Sequence, residues 1–145
     1  MPHNERRVVV TGLGAVTPIG NDIPTLWESL KNGKSGAARI ARFDPTGYDT
    51  TFACEVKNFD VLKFVDRKLS NRMDLFTQFG MAATEMAVAD SGMNLDALNK
   101  ERVGVIYGSG IGGMWANFKQ QESVYATGGP HQISPFFVPM IISDI

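Results

Sequence analysis

Residues 6–21 read RRVVVTGLGAVTPIGN, in which a run of valines leads into a loop that contains three glycines. The valines predict a buried strand over residues 7–11, because β-branched side chains pack well on a pleated surface inside a protein. The glycines, at positions 12, 14 and 20, let the backbone turn sharply where a side chain would clash. This stretch therefore predicts a strand that enters a tight loop.

The residues that follow this loop predict a helix. Asp22 is suited to cap its N-terminus, and Pro24 is suited to its first turn, where an amide hydrogen has no partner within the helix. Large apolar residues then recur on one face, and Gly33 is a typical stop signal.

The same order of strand, glycine loop and helix recurs later in the chain. VGVIY at residues 103–107 predicts a second strand, GSGIGG follows at 108–113, and a helix is predicted from about 114 to 125. Residues 134–139, SPFFVP, are predicted to be extended because they contain two prolines. Strands that alternate with helices predict a mixed α/β layer architecture.

The longest predicted helix lies between these two units, over residues 72–91, with Asn71 as its cap and Gly92 as its stop. Its surface is thin and small-sided because it carries Gly80 and four alanines, which predicts a buried helix that packs closely against its neighbours. A short strand at 52–56 and a helical turn near 61–65 precede it.

Composition restricts the classes of function. The chain has 145 residues, 43% of them hydrophobic and 20% charged, which is ordinary for one globular domain. A net charge of −1 gives no overall positive field for nucleic acid, and no apolar stretch is long enough to insert into a membrane. One cysteine fits a reducing cytoplasm, and two histidines are too few for a His/Cys metal cluster.

The glycine loop at 108–113 resembles a dinucleotide-binding loop, but the residues that follow it do not complete that motif. Gly108, Gly110 and Gly113 match G-x-G-x-x-G between a strand and a helix. The dinucleotide motif also needs an acidic residue about 20 positions on, to bind the ribose. The chain has TGGP at 127–130 instead. We therefore predict no cofactor and keep a dinucleotide-binding oxidoreductase as the remote alternative.

No catalytic residue is predicted. Cys54 lies in FACEV beside an acidic residue, without the basic neighbour or helix N-terminus that stabilises a thiolate, and a small buried hydrophobe is the better interpretation. Paired carboxylates and a Ser/His/Asp arrangement are both lacking from the sequence pattern.

Two surfaces remain as candidates, and each has an ordinary alternative. A basic cluster could dock an acidic partner or be a solvated helix face: Lys63, Arg67, Lys68 and Arg72. An apolar group could line a tunnel for an alkyl chain, although ordinary core is favoured on the residues alone: Ile111, Met114, Phe136 and Phe137.

Several motifs together resemble a known family. The matching segments, in chain order, are VVVTGLGAVTPIGN, FDPTGYDTTFACEV, RMDLFTQFGMAATEMAVADSG, GSGIGG and GGPHQISPFFVP. Their order and spacing are similar to those of β-ketoacyl-acyl-carrier-protein synthases, most closely the elongating condensing enzymes of bacterial fatty-acid synthesis (synthase II). The resemblance covers nearly the whole chain.

The resemblance implies a fold and an activity. The fold is the thiolase-like layered α/β/α/β/α arrangement, of which the chain would be part of the N-terminal half, and the enzyme works as a homodimer in the cytoplasm. The activity is an acyl transfer to a cysteine, followed by a decarboxylative Claisen condensation with malonyl-carrier protein. Backbone amides hold the oxyanion, and two histidines assist.

The resemblance also assigns residues to roles. Ile111 matches the residue that gates the acyl pocket, Met114 lies near the same wall, and Phe136 matches one that reaches the pocket of the partner subunit. Lys68 and Arg72 match basic residues that dock the acidic acyl carrier protein. A third docking position is Asn71 here, and an Arg-Lys pair of some members is His131-Gln132.

The family's catalytic cysteine and histidines lie beyond the segment that matches PFFVP. We therefore expect residues 1–145 to be an incomplete N-terminal ketosynthase domain that ends before the nucleophile and is inactive alone. The apolar ending PMIISDI agrees with this expectation. A non-catalytic ketosynthase-like partner of the chain-length-factor type would share these residues and stays open as the alternative.

Overall fold

The computed structural model describes residues 6–142 and is a mixture of helices and a small sheet. Its strands are β1 (Ala38–Arg39) and β2 (Phe52–Ala53). Its helices are α1 (Ile23–Lys31), α2 (Arg67–Ser70), α3 (Leu75–Ser91), α4 (Met114–Thr127) and α5 (Phe137–Ile141). Short 3-10 turns occupy Val61–Lys63, Lys100–Arg102 and Pro130–Gln132.

Helix α1 confirms the first helix prediction. The Asp22 carboxylate accepts a hydrogen bond of 2.7 Å from the backbone amide of Thr25, which leaves fewer unpaired amides in the first turn. Gly33, with φ +60°, follows the C-cap residue Asn32 and turns the chain away. The Ser29 hydroxyl donates to the carbonyl of Ile19 at 2.6 Å, so the helix is tied to the loop before it.

The sheet is smaller than the sequence predicts. Strands β1 and β2 pair antiparallel, with Ala38 opposite Ala53 and Arg39 opposite Phe52. The strand predicted at 52–56 is confirmed only at its first two residues. Strand β1 lies in a stretch for which no strand was predicted.

The two valine-rich stretches are not strands within residues 6–142, so this part of the prediction is wrong. Neither 7–11 nor 103–107 has a strand partner in the described part of the chain. A strand requires ladder hydrogen bonds from a neighbour, and Val8, which is 92% exposed, has nothing packed over it. Within residues 6–142, no layer covers the side chains of Val8, Val10, Val105 and Ile106, which form an exposed apolar surface.

Helix α3 begins three residues later than predicted. Asp74, with an extended ψ of 165°, is its N-cap, whereas Asn71 closes the separate short helix α2. Gly92 ends α3 in the left-handed conformation, with φ +63°, as predicted. Within α3 only Ala82 is fully enclosed and the other residues are at least partly exposed, so the helix is less buried than predicted.

The small residues of α3 allow other segments to approach its backbone. A Cβ atom on Gly14 would lie 1.9 Å from the carbonyl oxygen of Ala83 in α3. On another part of the helix, a Cβ atom on Gly80 would lie 2.5 Å from the ring of Tyr107. The first glycine loop and the residue before the second one therefore both pack directly on α3.

Helix α5 replaces the extended segment predicted at 134–139. The sequence suggested extension because of its prolines, but Pro139 is the third residue of the helix. Amides in the first turn have no partner within a helix, so a proline there removes no hydrogen bond. The helix packs on the start of α4, where the Gly113 amide donates to the carbonyl of Ile141 at 3.1 Å.

Candidate functional site

A buried carboxylate joins the N-termini of the two longest helices. Asp74, which is 6% exposed, accepts a hydrogen bond of 2.6 Å from the amide of Leu75 in α3. Its other oxygen accepts one of 2.9 Å from the amide of Ala116 in α4. Helix α4 begins after Gly113, which has no side chain to cap it, so Asp74 supplies the missing acceptor from another helix.

This arrangement argues against the dinucleotide interpretation of the glycine loop. A pyrophosphate would need the free amides and the positive end of the α4 dipole. The carboxylate of Asp74 occupies one of these amides and brings a negative charge there, while the amide of Gly113 donates to Ile141. A Cβ atom on Gly113 would lie 2.0 Å from the carbonyl oxygen of Met140, so this glycine serves close packing.

The loop before α4 presents Ile111 on the surface, and the first residue of α4 is Met114, which is also exposed. Gly112 has φ +81°, and its amide donates to the Ser109 hydroxyl at 3.0 Å, which fixes the turn between the two apolar residues. Ile111 is 74% exposed and Met114 is 60% exposed. Both side chains are therefore free to contact another molecule or another segment of protein.

Met114 lines a cleft of about 680 Å³ whose walls are rich in aromatic rings. Trp115 and Phe118 stack with centroids 5.8 Å apart, and Phe43 and Tyr48 meet edge to face at 5.7 Å across from them. The sequence reasoning missed these four rings. The spacing of Trp115 and Phe118, three residues apart on one helix, was the available signal.

Phe136 does not line this cleft but lies beneath an arginine. The guanidinium carbon of Arg72 is 4.3 Å from the centroid of the Phe136 ring, a cation–π contact. The structure therefore brings a predicted docking residue and a predicted pocket residue together. It does not bring Phe136 into the same cavity as Met114 within the described residues.

The basic cluster is exposed and free of acidic partners in residues 6–142. Arg67 and Lys68 lie on α2, Arg72 follows it, and Lys63 lies in the preceding turn. None of the four forms an ion pair within the described range. Cations that have no acidic partner within residues 6–142 are free to pair with an acidic surface of another protein.

Asp22 and Tyr107 are among the ionisable groups outside the cluster whose pKa is shifted. Hydrogen bonds from Thr25 lower the pKa of Asp22 below its ordinary value, because they stabilise the carboxylate. Burial raises the pKa of Tyr107, whose hydroxyl donates to the carbonyl of Phe76 at 2.6 Å.

Other candidate chemistry finds little support among residues 6–142. Cys54 is exposed, which corrects the prediction of a buried hydrophobe; β2 ends before it, so no sheet encloses its side chain. No group of three or more metal-binding side chains occurs in this range. Nor does it contain a helix with the length and apolar character needed to cross a membrane.

Comparisons with known proteins agree on one family. A sequence model described as beta-ketoacyl synthase, N-terminal domain, matches residues 5–145. A protein of Coxiella burnetii named 3-oxoacyl-[acyl-carrier-protein] synthase 2 is 45% identical over 97% of this chain and 34% of its own length. The protein of the same name from Synechocystis is 41% identical over 97% of this chain and 34% of its own.

Solved structures show the same fold. A structure described as the ishigamide ketosynthase/chain length factor superposes with a TM-score of 0.75 at 32% identity, over 94% of this chain and 34% of its own. A type II PKS acyl-carrier protein in complex with its ketosynthase gives a TM-score of 0.73 at 26% identity, over 95% and 35%. These likenesses confirm the prediction of a partial thiolase-like α/β fold. The chain spans about a third of the length of the curated relatives it matches.

Proposed function

Because the chain belongs to the β-ketoacyl synthase family, we propose that it forms the N-terminal third of a 3-oxoacyl-[acyl-carrier-protein] synthase II of fatty-acid elongation. The observation that carries this proposal is the identity of 41% and 45%, over 97% of the chain, to two proteins of that name. Residues 1–145 are then an incomplete ketosynthase domain, and the nucleophilic cysteine lies in a later segment of the same protein.

The complete protein is an acyltransferase. An acyl group passes from the thiol of its carrier protein to the enzyme's cysteine, and malonyl-carrier protein loses carbon dioxide. The resulting carbanion attacks the acyl thioester, forms the new carbon–carbon bond and releases the cysteine thiolate. Residues 1–145 contribute no reacting group to these chemical steps.

The contribution of this chain is to bind the acyl group. Ile111 and Met114 supply one wall of the acyl pocket, and Phe136 reaches the pocket from the other subunit of a homodimer. The exposure of Ile111 and Met114 supports this assignment, because an apolar side chain on a glycine-flanked loop can contact an alkyl chain directly.

The partner is the acyl carrier protein, which docks on Lys68 and Arg72. Support comes from the lack of acidic partners for both cations within residues 6–142. One structural neighbour was solved as a complex of a ketosynthase with an acyl-carrier protein, which is consistent with this kind of partner. The single cysteine fits the reducing cytoplasm in which such enzymes work.

The test is a condensation assay on the complete protein that contains this chain. Purified enzyme is incubated with acyl- and malonyl-carrier protein, and the 3-oxoacyl product is measured by mass spectrometry. Product that grows with time is expected, and its absence at high enzyme concentration would contradict the proposal. Residues 1–145 alone serve as the control, for which no product is expected.

A non-catalytic partner of the chain-length-factor type is the second candidate. The similarity to the ishigamide ketosynthase/chain length factor, with a TM-score of 0.75, favours keeping it. The two candidates differ in one measurable step, because only the enzyme becomes acylated. Intact-mass measurement after exposure of the complete protein to acyl-carrier protein would show one acyl group for the enzyme and none for the partner.

A further inference from the structure

We propose that Phe136 is a platform that holds Arg72 in position for docking an acidic protein. The guanidinium of Arg72 lies over the Phe136 ring with its carbon 4.3 Å from the ring centroid. Arg72 is exposed, whereas Phe136 is half-buried. One aromatic residue thus supports the docking surface directly and does not act only as a wall of the apolar site.

Stacking prepares an arginine for a carboxylate. The guanidinium group is planar, so contact of its face with a ring leaves its N–H groups free at the edge of the plane. A carboxylate can then accept two of them side by side. Because the side chain is already held in one orientation, less conformational entropy is lost when the partner binds.

The platform is fixed independently of Arg72. The Phe136 amide donates to the Ser134 hydroxyl at 3.2 Å, and its carbonyl accepts from the Met140 amide in α5 at 3.0 Å. The Ser134 amide in turn donates to the side chain of Gln120 in α4. The ring is therefore attached to two helices, and its position does not depend on the arginine.

Arg72 is also the member of the basic cluster that stacks on the Phe136 ring. Among the cluster's four cations, it alone has a ring contact within residues 6–142, while Lys63, Arg67 and Lys68 have none there. The partner that fits is an acidic protein face with a carboxylate opposite Arg72. We take this to be the carrier protein of the proposed function, on which this inference rests.

The experiment measures binding of unacylated acyl carrier protein to the complete protein by calorimetry at low ionic strength. Without an acyl chain, contacts in the pocket cannot contribute. Phe136→Leu should weaken binding by about two- to fivefold, the value of an exposed cation–π contact. Phe136→Tyr, which keeps a ring, should bind like the wild type, and Phe137→Leu is the matched control that removes a neighbouring ring.

The double variant identifies the route of the effect. Arg72→Ala should weaken binding more than Phe136→Leu does, and adding Phe136→Leu to Arg72→Ala should cause no further loss. The platform role would be overturned if the wild type binds and Phe136→Leu has the same affinity. It would also be overturned if the losses of affinity in Phe136→Leu and Arg72→Ala add up in the double variant. Neither result would affect the carrier-protein assignment. No binding by the wild type would overturn the carrier-protein assignment of the proposed function itself.

Discussion

Asp74 and Ala116 are 42 residues apart in the chain, yet the carboxylate of one accepts a hydrogen bond of 2.9 Å from the backbone amide of the other. The same carboxylate caps its own helix α3 through Leu75. The first turn of α4, which begins at Met114 and follows the loop that carries Ile111, is therefore held against α3 by one side chain. The position of the proposed acyl-pocket wall depends on this contact.

Replacement of Asp74 should destabilise the protein more than replacement of an ordinary cap. Asp74→Ala leaves the amide of Ala116 buried and unpaired, which costs about 1–3 kcal/mol of unfolding free energy. Asp66→Ala is the matched control, because Asp66 is an exposed cap with one hydrogen bond, to the Leu69 amide. Urea unfolding of the complete protein measures both. Equal losses in the two variants would contradict a special role for Asp74.

Gly14 should tolerate no side chain. A Cβ atom there would lie 1.9 Å from the Ala83 carbonyl oxygen, so Gly14→Ala must push the first loop off α3 and should cost about 1–3 kcal/mol or more. Gly104→Ala is the control, because its Cβ would meet nothing within 4 Å and its φ is not positive. Its effect should stay within about 0.5 kcal/mol. Thermal unfolding that ranks the two variants in the opposite order would refute this packing.

Local signals in the sequence were sufficient for most helix ends. Asp22, Gly33 and Gly92 act through hydrogen bonds and backbone angles within a few residues, and each lies where the sequence predicts. The start of α3 was predicted too early because Asn71 and Asp74 are both good caps, and only tertiary contacts favour the second. The prediction of strands at 7–11 and 103–107 was wrong because a strand needs a hydrogen-bonded neighbour, which local sequence does not specify.

The sequence was enough to name residues of the candidate site, but it did not predict which of them contact one another. The sequence pattern singled out Arg72 and Phe136 for different roles, and no periodicity links two positions so far apart. Their stacking arises because α5 packs on α4 while Asp74 holds α4 to α3. Such a chain of tertiary contacts becomes visible only in the folded structure.

A larger residue at Ile111 should shorten the acyl chains that the complete enzyme accepts. Ile111→Trp would fill space next to the proposed pocket wall, so the longest acyl chains would no longer fit. Each methylene group that does not fit costs about 1–3 kcal/mol of transition-state binding, which lowers kcat/KM about tenfold or more. The measurement is kcat/KM for a series of acyl-carrier proteins of increasing length. Leu95→Trp, an exposed leucine outside the loop, is the control. A uniform loss at every length would argue against a pocket role.

Asp22 should make the protein sensitive to acid. Its pKa is lowered in the folded chain by the hydrogen bonds from Thr25, so its contribution to stability is complete above the unfolded pKa of about 3.9. The contribution is lost as the pH falls through the lower, folded value. At pH 7, Asp22→Ala should cost about 1 kcal/mol, whereas Asp22→Asn keeps a capping oxygen and should cost less.

The pH dependence separates charge from capping. The difference in unfolding free energy between wild type and Asp22→Asn should shrink as the pH falls below the unfolded pKa of about 3.9, because the wild-type carboxylate becomes neutral at lower pH. Chemical unfolding at several pH values measures it. A difference that stays constant over this range would mean that the charge of Asp22 adds nothing to its cap.

Residues 1–145 in isolation should associate with one another. Val8, Val10, Val105 and Ile106 are all more than four-fifths exposed, and the stretches that carry them have unpaired backbone groups in the described structure. Contiguous apolar surface beside free backbone donors and acceptors promotes pairing between chains. We expect sedimentation at rising concentration to show growing oligomers that bind a hydrophobic dye. The double variant Val8→Lys/Val105→Lys should form fewer oligomers and bind less dye. If the wild-type fragment is instead a monomer that binds no dye and melts cooperatively, these faces are covered in solution by the chain itself.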